Sequence, residues 1–348
     1  MADVSSDLLT DLLGQVSRSF YLTLRVLPAA IRPQIGLAYL LARTTDTIAD
    51  TQMVPPAGRL QALQALRERI LGHSTAPLDF GQLAQHQNSR AEWSLLQRVE
   101  ESLALLERFS NPDQLLIREA LAVIVSGQEL DLKRFADASR QRIVALNTDD
   151  ELEDYTYRVA GCVGEFWTKL SRAHLFPDAP LDEAWLMTSG VRFGQGLQLV
   201  NILRDLPRDL RQGRCYLPGE RLWAIGLTPF ELLEPANGPK LRPLYDHYLT
   251  RAAEHLAAGW QYTKALPRSQ ARLRLACAWP LLIGIKTAEK LRAGNVLAPE
   301  LQIKISRSEV RGILVRTILY YPWASAWERL FSRREAPGNQ VDSETSLS

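Results

Sequence analysis

Two pairs of aspartates, Asp46 with Asp50 and Asp205 with Asp209, stand at an i,i+4 spacing, each behind an apolar run and an arginine, Arg43 and Arg204. On a helix this spacing stacks both carboxylates on one face, where they repel by about 0.2–0.5 kcal/mol unless a cation lies between them. Such pairs could hold magnesium, a hard ion that takes oxygen ligands and is usually bound by a few carboxylates together with substrate phosphates. The chemistry implied is that of a diphosphate. The spacing recurs at Asp7/Asp11 and Asp150/Asp154, but there the neighbours are polar or terminal, and acids near the positive pole of a solvated helix account for it. Residues 35–43 and 197–204 are instead apolar nearly all round, as in a buried helix. Buried carboxylates need a partner. That partner is either a metal or the adjacent Arg43 and Arg204, and two such pairs in one chain favour the metal.

Other stretches suit a diphosphate pocket. Ser17-Arg18-Ser19-Phe20 offers two hydroxyls and a guanidinium, donors that phosphate oxygens favour, although a surface Ser-Arg-Ser would read the same. Tyr39 and Arg43 precede Asp46 on or near its helical face. Gly161 and Gly164 interrupt the apolar segment Tyr155–Gly164 at a cost of about 1 kcal/mol each relative to alanine, which calls for a substrate or a neighbouring helix passing close. After Asp209, the run Arg211-Gln212-Gly213-Arg214 is a glycine-broken helix end. Its arginines, with Arg204 and Arg208, either form a solvated face or neutralise released pyrophosphate.

The elements that must position these residues read as helices. Over 348 residues, 46% of them hydrophobic, a sizeable core can form. Periodicity is helical nearly throughout, predicting an all-α fold with helices near 6–27, 33–50, 57–71, 91–108, 112–135, 149–173, 183–209, 219–224, 228–233, 239–264, 268–291 and 308–330. Residues 74–90 read as a polar loop, Leu301–Ser306 as the one short strand-like alternation, 1–333 as one catalytic domain and 334–348 as a disordered tail. A net charge of +2 without a basic block gives no support to nucleic-acid binding. Three scattered cysteines, Cys162, Cys215 and Cys277, suggest neither a disulfide framework nor a thiolate metal site, so a reducing cytoplasm is the default. The N-terminus lacks the pattern of a signal peptide, and no apolar run reaches the ~20 residues that span a bilayer.

Taken together, Ser17-Arg18-Ser19-Phe20, Tyr39-xxx-Arg43-xx-Asp46-xxx-Asp50, Tyr155-xxxx-Ala160-Gly161-xx-Gly164 and Gln198-xx-Asn201-Ile202-x-Arg204-Asp205-xxx-Asp209, followed by Gly213-Arg214-x-Tyr216-x-Pro218, resemble in order and spacing the squalene and phytoene synthases, through about residues 15–330. The resemblance implies a single-domain isoprenoid synthase fold with a central cavity between helices, and head-to-head condensation of two prenyl diphosphates. It assigns Asp46, Asp50, Asp205 and Asp209 to Mg²⁺. Ser17, Arg18, Ser19, Arg43, Asn201 and Arg204 would touch diphosphate, Phe20, Gln198 and Arg214 would line the substrate site, and Tyr39 and Tyr155 would stand near the reacting carbons. Thr45–Asp50 and Gly127-Gln128-Glu129-Leu130-Asp131 look most like bacterial squalene synthases, which implies farnesyl diphosphate as substrate. Ile303–Arg307 resembles the basic stretch that helps hold NADPH, assigning Lys304 and Arg307 to that cofactor, with Ser306 where the closest match would have arginine. Relatives that stop at presqualene diphosphate, or that make phytoene, use no reductant. A terpene cyclase would not be expected to carry this set of motifs, and a non-enzymatic assembly factor of the same fold would lack the aspartates.

Residues 301–334 carry seven Lys/Arg against two Asp/Glu, interleaved with apolar and aromatic residues that include Ile313, Trp323, Trp327 and Phe331. That composition suits either an interfacial helix at the inner face of a membrane or a core helix with a charged outer side. Oligomeric state is not encoded in any of these features.

Overall fold

The computed structural model describes residues 7–17, 21–298 and 303–332. The principal helices are α1 (Arg32–Asp50), α2 (Pro56–Leu71), α3 (Asn111–Arg134), α4 (Asp149–Thr156), α5 (Cys162–Leu175), α6 (Glu183–Arg211), α7 (Gly238–Ala265), α8 (Ala271–Ala293), α9 (Arg307–Tyr320) and α10 (Ala324–Ser332). Their starts follow local chemistry. Pro33 occupies the first turn of α1, where a missing N–H costs nothing. The side chains of Ser110, Thr148 and Asp182 accept from backbone N–H groups at the starts of α3, α4 and α6, and Ser306 with Glu309 forms a capping box on α9.

The all-α expectation holds, with one small exception. Val144–Ala145 (β1) pairs in parallel with Arg214–Cys215 (β2), aligning Val144 with Arg214 and Ala145 with Cys215. This ladder ties the residues after Asp209 to the segment before α4. The expected polar loop 74–90 contains a five-residue helix, Gly81–Gln85, which the Asp79 carboxylate opens by accepting from the Gly81 N–H at 2.8 Å. The expected single helix 308–330 is two, α9 and α10, parted around Pro322. The tail 334–348, and part of the Leu301–Ser306 stretch, lie outside the described residues.

Two apolar clusters form the core, one centred on α1, α2, α3 and α5 and the other on α6, α7 and α8, and Phe193 of α6 packs against both. Helix α6 is the spine, laid against α5, α7 and α8. Its fit depends on absent side chains. A Cβ at Gly164 would stand 1.9 Å from the Gly190 carbonyl oxygen, and one at Gly194 would stand 2.1 Å from the Ala160 carbonyl oxygen. The glycines of the Tyr155–Gly164 motif are therefore explained by helix packing. Between α4 and α5 the chain takes a π-helical turn, Tyr157–Gly161, a local distortion often found at functional sites. Pro207, inside α6, cannot donate to the carbonyl four residues back, and the buried Tyr245 hydroxyl supplies that bond instead, 2.9 Å from the Leu203 oxygen.

Candidate active site

Helices α1 and α6 deliver the two aspartate pairs to opposite walls of one cleft. Its volume is about 390 Å³, and Asp46, Asp50, Asp205 and Asp209 all line it, along with Gln128 and Asp131 of α3, Tyr155 of α4, Gln198 and Asn201 of α6, and Arg214 and Tyr216 of β2 and its continuation. Each pair stands in the last turns of its helix. That is the negative end of the macrodipole, so carboxylates there are disfavoured until a cation arrives.

Their electrostatics record this. The Asp46 side chain lines the cleft and is exposed to solvent there, while the protein packed around it removes much of its hydration. Desolvation, then the charge of Asp50, pushes its carboxyl up to about 7, against the opposing pull of Arg43 and a hydrogen bond from Gln128 Nε2. Burial likewise pushes Asp209 up to about 6, with Arg208 opposing and Asp205 adding. Asp205 moves the other way. Burial would raise it, but the Arg204 guanidinium, donating to both of its oxygens at 2.9 and 2.8 Å, holds it below the ordinary carboxylate range. The arginine partner considered from sequence is thus realised at Asp205, with Arg208 3.4 Å from both Asp205 and Asp209.

Other expected residues divide. Gln198, Asn201, Tyr155 and Arg214 are brought together with the aspartates. The Arg43 guanidinium is engaged with Glu92 on the helix Arg90–Gln97, and Tyr39 is half-buried against the core; neither lines the cleft. Ser17 is buried, its hydroxyl without a hydrogen-bond partner among the described residues, while Arg18, Ser19 and Phe20 lie outside the described residues. Lys304 lines a second cleft of about 680 Å³, which shares Asn201, Asp205 and Arg208 with the first and is walled by Leu197, Trp279, Ile283 and Leu314. Arg204 and Arg211 also face it. Arg307 is exposed at the start of α9, away from that lining.

Gln128, Asp131 and Tyr216 were not assigned to the site from sequence. Tyr216 donates to Asp131 at 2.8 Å and stacks on Tyr155 with ring centroids 4.7 Å apart. Burial, only partly offset by Arg214 at 3.8 Å, raises Asp131 to about 6. Burial, then the charge of Asp131, holds the Tyr155 phenol well above its usual value, so it stays neutral. The local signal was weak: Gln128 and Asp131 stand one turn apart on α3, but after the apolar run 120–125 they share that end of the helix with Ser126, Glu129, Lys133 and Arg134, a composition that reads equally as a solvated helix end.

The oxygens facing the first cleft are carboxylate, amide and phenol, a hard donor set suited to Mg²⁺. The Gln128 Oε1 and Asp131 Oδ1 atoms are buried without partners among the described residues. Among those residues no three His, Cys, Asp or Glu side chains converge closely enough to hold a metal by themselves. An ion here would therefore draw part of its shell from water and phosphate oxygens, as Mg²⁺ ordinarily does.

Comparison with known proteins agrees with this architecture. Residues 13–309 match the family model described as squalene/phytoene synthase. A bifunctional lycopene cyclase/phytoene synthase of Colletotrichum graminicola is 29% identical over 82% of the chain, which spans only 45% of that longer protein. A presqualene diphosphate synthase of Zymomonas mobilis is 30% identical over 74% of the chain and 75% of its own length. Among solved structures, a ligand complex of TcSQS superposes with a TM-score of 0.79 at 19% identity, covering 96% of this chain and 90% of that one, a likeness of fold. With the match running through both aspartate pairs and the helices that carry them, the chain belongs to the squalene/phytoene synthase family.

Proposed function

We propose that the chain joins two farnesyl diphosphates head to head through presqualene diphosphate and reduces that product to squalene with NADPH. The observation that carries the reading is the facing of both aspartate pairs across one cleft that opens, at Asn201, Asp205 and Arg208, into a larger cleft with apolar walls. A charged head and a long hydrocarbon each find a matching wall there. The presqualene diphosphate synthase of Zymomonas mobilis supports the first half of the reaction. Lys304, with Arg204 and Arg211 on the same cleft, supports a second phosphate-bearing ligand.

In the condensation, one pyrophosphate leaves an allylic carbon, the double bond of the other substrate attacks that carbon, and loss of one C1 proton closes a cyclopropane. In the second step the remaining pyrophosphate leaves as hydride arrives. Bound Mg²⁺ supplies charge neutralisation at the departing pyrophosphate, and NADPH supplies the hydride. The chain's own groups do the rest. Arg204 and Arg208 fix Asp205 and Asp209 and present N–H donors to developing negative charge. Stacked Tyr155 and Tyr216 offer π-faces to a carbocation while remaining protonated, so neither attacks it.

Incubation with farnesyl diphosphate and Mg²⁺, with and without NADPH, tests this. Squalene is expected only with NADPH, and presqualene diphosphate without it. The 30% identity to a presqualene diphosphate synthase favours, as the second reading, an enzyme that stops there. Presqualene diphosphate in both arms would establish that reading, and the absence of both products would remove farnesyl diphosphate as substrate. Lys304→Ala separates the steps further: reduction should slow while the condensation rate holds.

A further inference from the structure

The second cleft has a charged mouth and a closed far end. Helices α8 and α9 run antiparallel along it, and one contact marks each end of their pairing. At the level of the mouth Lys290 meets Glu309 at 2.6 Å and donates to the Lys304 carbonyl at 3.2 Å. At the other end the Trp279 indole donates to the Thr317 hydroxyl at 2.9 Å. Between Lys290 and Trp279, α8 makes roughly three turns, a span of about 16 Å. Helix α6 shares this polarity. Its Leu197 side chain lies against Gly284, 3.3 Å from where a Cβ would stand, and Asp205, about two turns further along, comes under the charge of Lys304 at the mouth. Among the described residues, nothing on α8 before Trp279 and nothing on α9 beyond Leu314 lines the cleft. Trp279 is its floor.

That floor is held rigidly. Trp279 is 6% exposed and Thr317 is fully buried. The Thr317 hydroxyl directs its own proton to the Ile313 and Leu314 carbonyls at 2.9 and 2.8 Å, which leaves its lone pairs for the indole. Swinging the ring aside would strand a buried N–H, a penalty that a leucine or methionine at this position would not meet. We propose that Trp279, pinned by Thr317, sets the longest prenyl chain that the enzyme accepts; its ligand, a prenyl diphosphate, rests on the proposed function above. With bonds of about 1.5 Å in a zigzag, the twelve-carbon main chain of a farnesyl group extends about 15 Å and the sixteen-carbon chain of a geranylgeranyl group about 20 Å. The first matches the span from mouth to floor. The second must displace the indole from its hydrogen bond or leave its last isoprene unit in water, and the hydrophobic effect opposes that. A pocket separates substrates differing by one methylene about 10- to 200-fold, so a whole isoprene unit against a fixed wall suffices for a clear preference.

The test offers the full chain, with Mg²⁺ and NADPH, farnesyl and geranylgeranyl diphosphate in competition, and reads the ratio of kcat/KM for the two. The wild type is expected to prefer farnesyl diphosphate at least about tenfold. Trp279→Ala should shrink that preference at least tenfold, and Trp279→Phe, which refills most of the space, should restore much of it. Thr317→Val keeps the shape of the side chain but removes the acceptor, and should move the ratio in the same direction as Trp279→Ala. Should Trp279→Ala fail to fold by circular dichroism, Trp279→Leu and Thr317→Val carry the same comparison. A merely structural role for the indole would lower both rates together and leave the ratio alone, and that outcome overturns the proposal. So does a wild type that uses both substrates equally well. Calorimetric affinities for the unreactive thiodiphosphate analogues of the two substrates repeat the comparison without turnover. An inactive wild type that still prefers the farnesyl analogue, and loses that preference in Trp279→Ala, would remove the squalene reading and leave the floor standing. An active wild type whose preference survives the substitutions at Trp279 and Thr317 would do the reverse.

Discussion

Asp46 is the residue whose chemistry depends most on its surroundings. Its i,i+4 partner was visible in the sequence, but the Gln128 amide that bonds to it comes from a residue 82 positions away, and no local pattern links the two. Replacing Asp46, Asp50, Asp205 or Asp209 by alanine is expected to cut kcat at least about a hundredfold, roughly 2.7 kcal/mol of transition-state stabilisation, while the far-UV circular dichroism stays that of the wild type. A variant keeping more than about a tenth of the activity at saturating Mg²⁺ would show that its carboxylate is no ligand. Gln128→Ala removes the hydrogen bond that favours ionised Asp46, so the Asp46 carboxyl should rise further above about 7. Calorimetric titration of Mg²⁺ should then show affinity beginning to fall at a higher pH than in the wild type. An unmoved profile would mean that the amide does not act on that carboxylate.

At the level of elements, α6 carries three functions on one rod: its middle packs backbone to backbone against α5 and the π-helical turn, its polar face lines the clefts, and its last turns hold Asp205 and Asp209. The fit at Gly194 should tolerate no methyl group. Gly194→Ala would drive a Cβ to 2.1 Å from the Ala160 carbonyl, forcing the helices apart at a cost of about 1–3 kcal/mol or more, read as a lowered Tm with lowered activity. Gly312→Ala in α9 meets only the end of Arg316 at 3.5 Å and should be neutral or stabilising by up to about 1 kcal/mol. Equal effects from the two would refute the packing account. Tyr245→Phe strands the Leu203 carbonyl that Pro207 leaves without its helical donor, and chemical denaturation should register a loss of about 1–3 kcal/mol. These helices were legible in advance because a 3.6-residue apolar period and capping residues are local signals. The break near Pro322 and the five-residue helix at Gly81 were less so, because a few residues carry too little periodicity to stand out.

For the whole molecule, the cleft brings together carboxylates that the fold alone cannot stabilise when charged. Asp46 at about 7, and Asp131 and Asp209 at about 6, all stand above the ordinary 3.8. An aspartate raised in the native state binds more protons folded than unfolded, so its contribution to stability is lost as pH climbs between those values. Mg²⁺ competes with those protons, and the increase in Tm that it produces should therefore grow from pH 5 to pH 8. An increase independent of pH would mean that the ion binds elsewhere. The amino-acid sequence by itself determined the helical architecture and both aspartate pairs, because spacing along a helix sets which side chains share a face. Only the tertiary structure decided that the two pairs face each other across one cleft, that Arg43 turns to Glu92 while Arg204 takes Asp205, that the motif glycines serve helix packing, and that Trp327 is core while Trp323 is surface. Each of these depends on contacts between residues far apart in the chain, and the direction a side chain faces across a packed interface is set by which helix lies opposite.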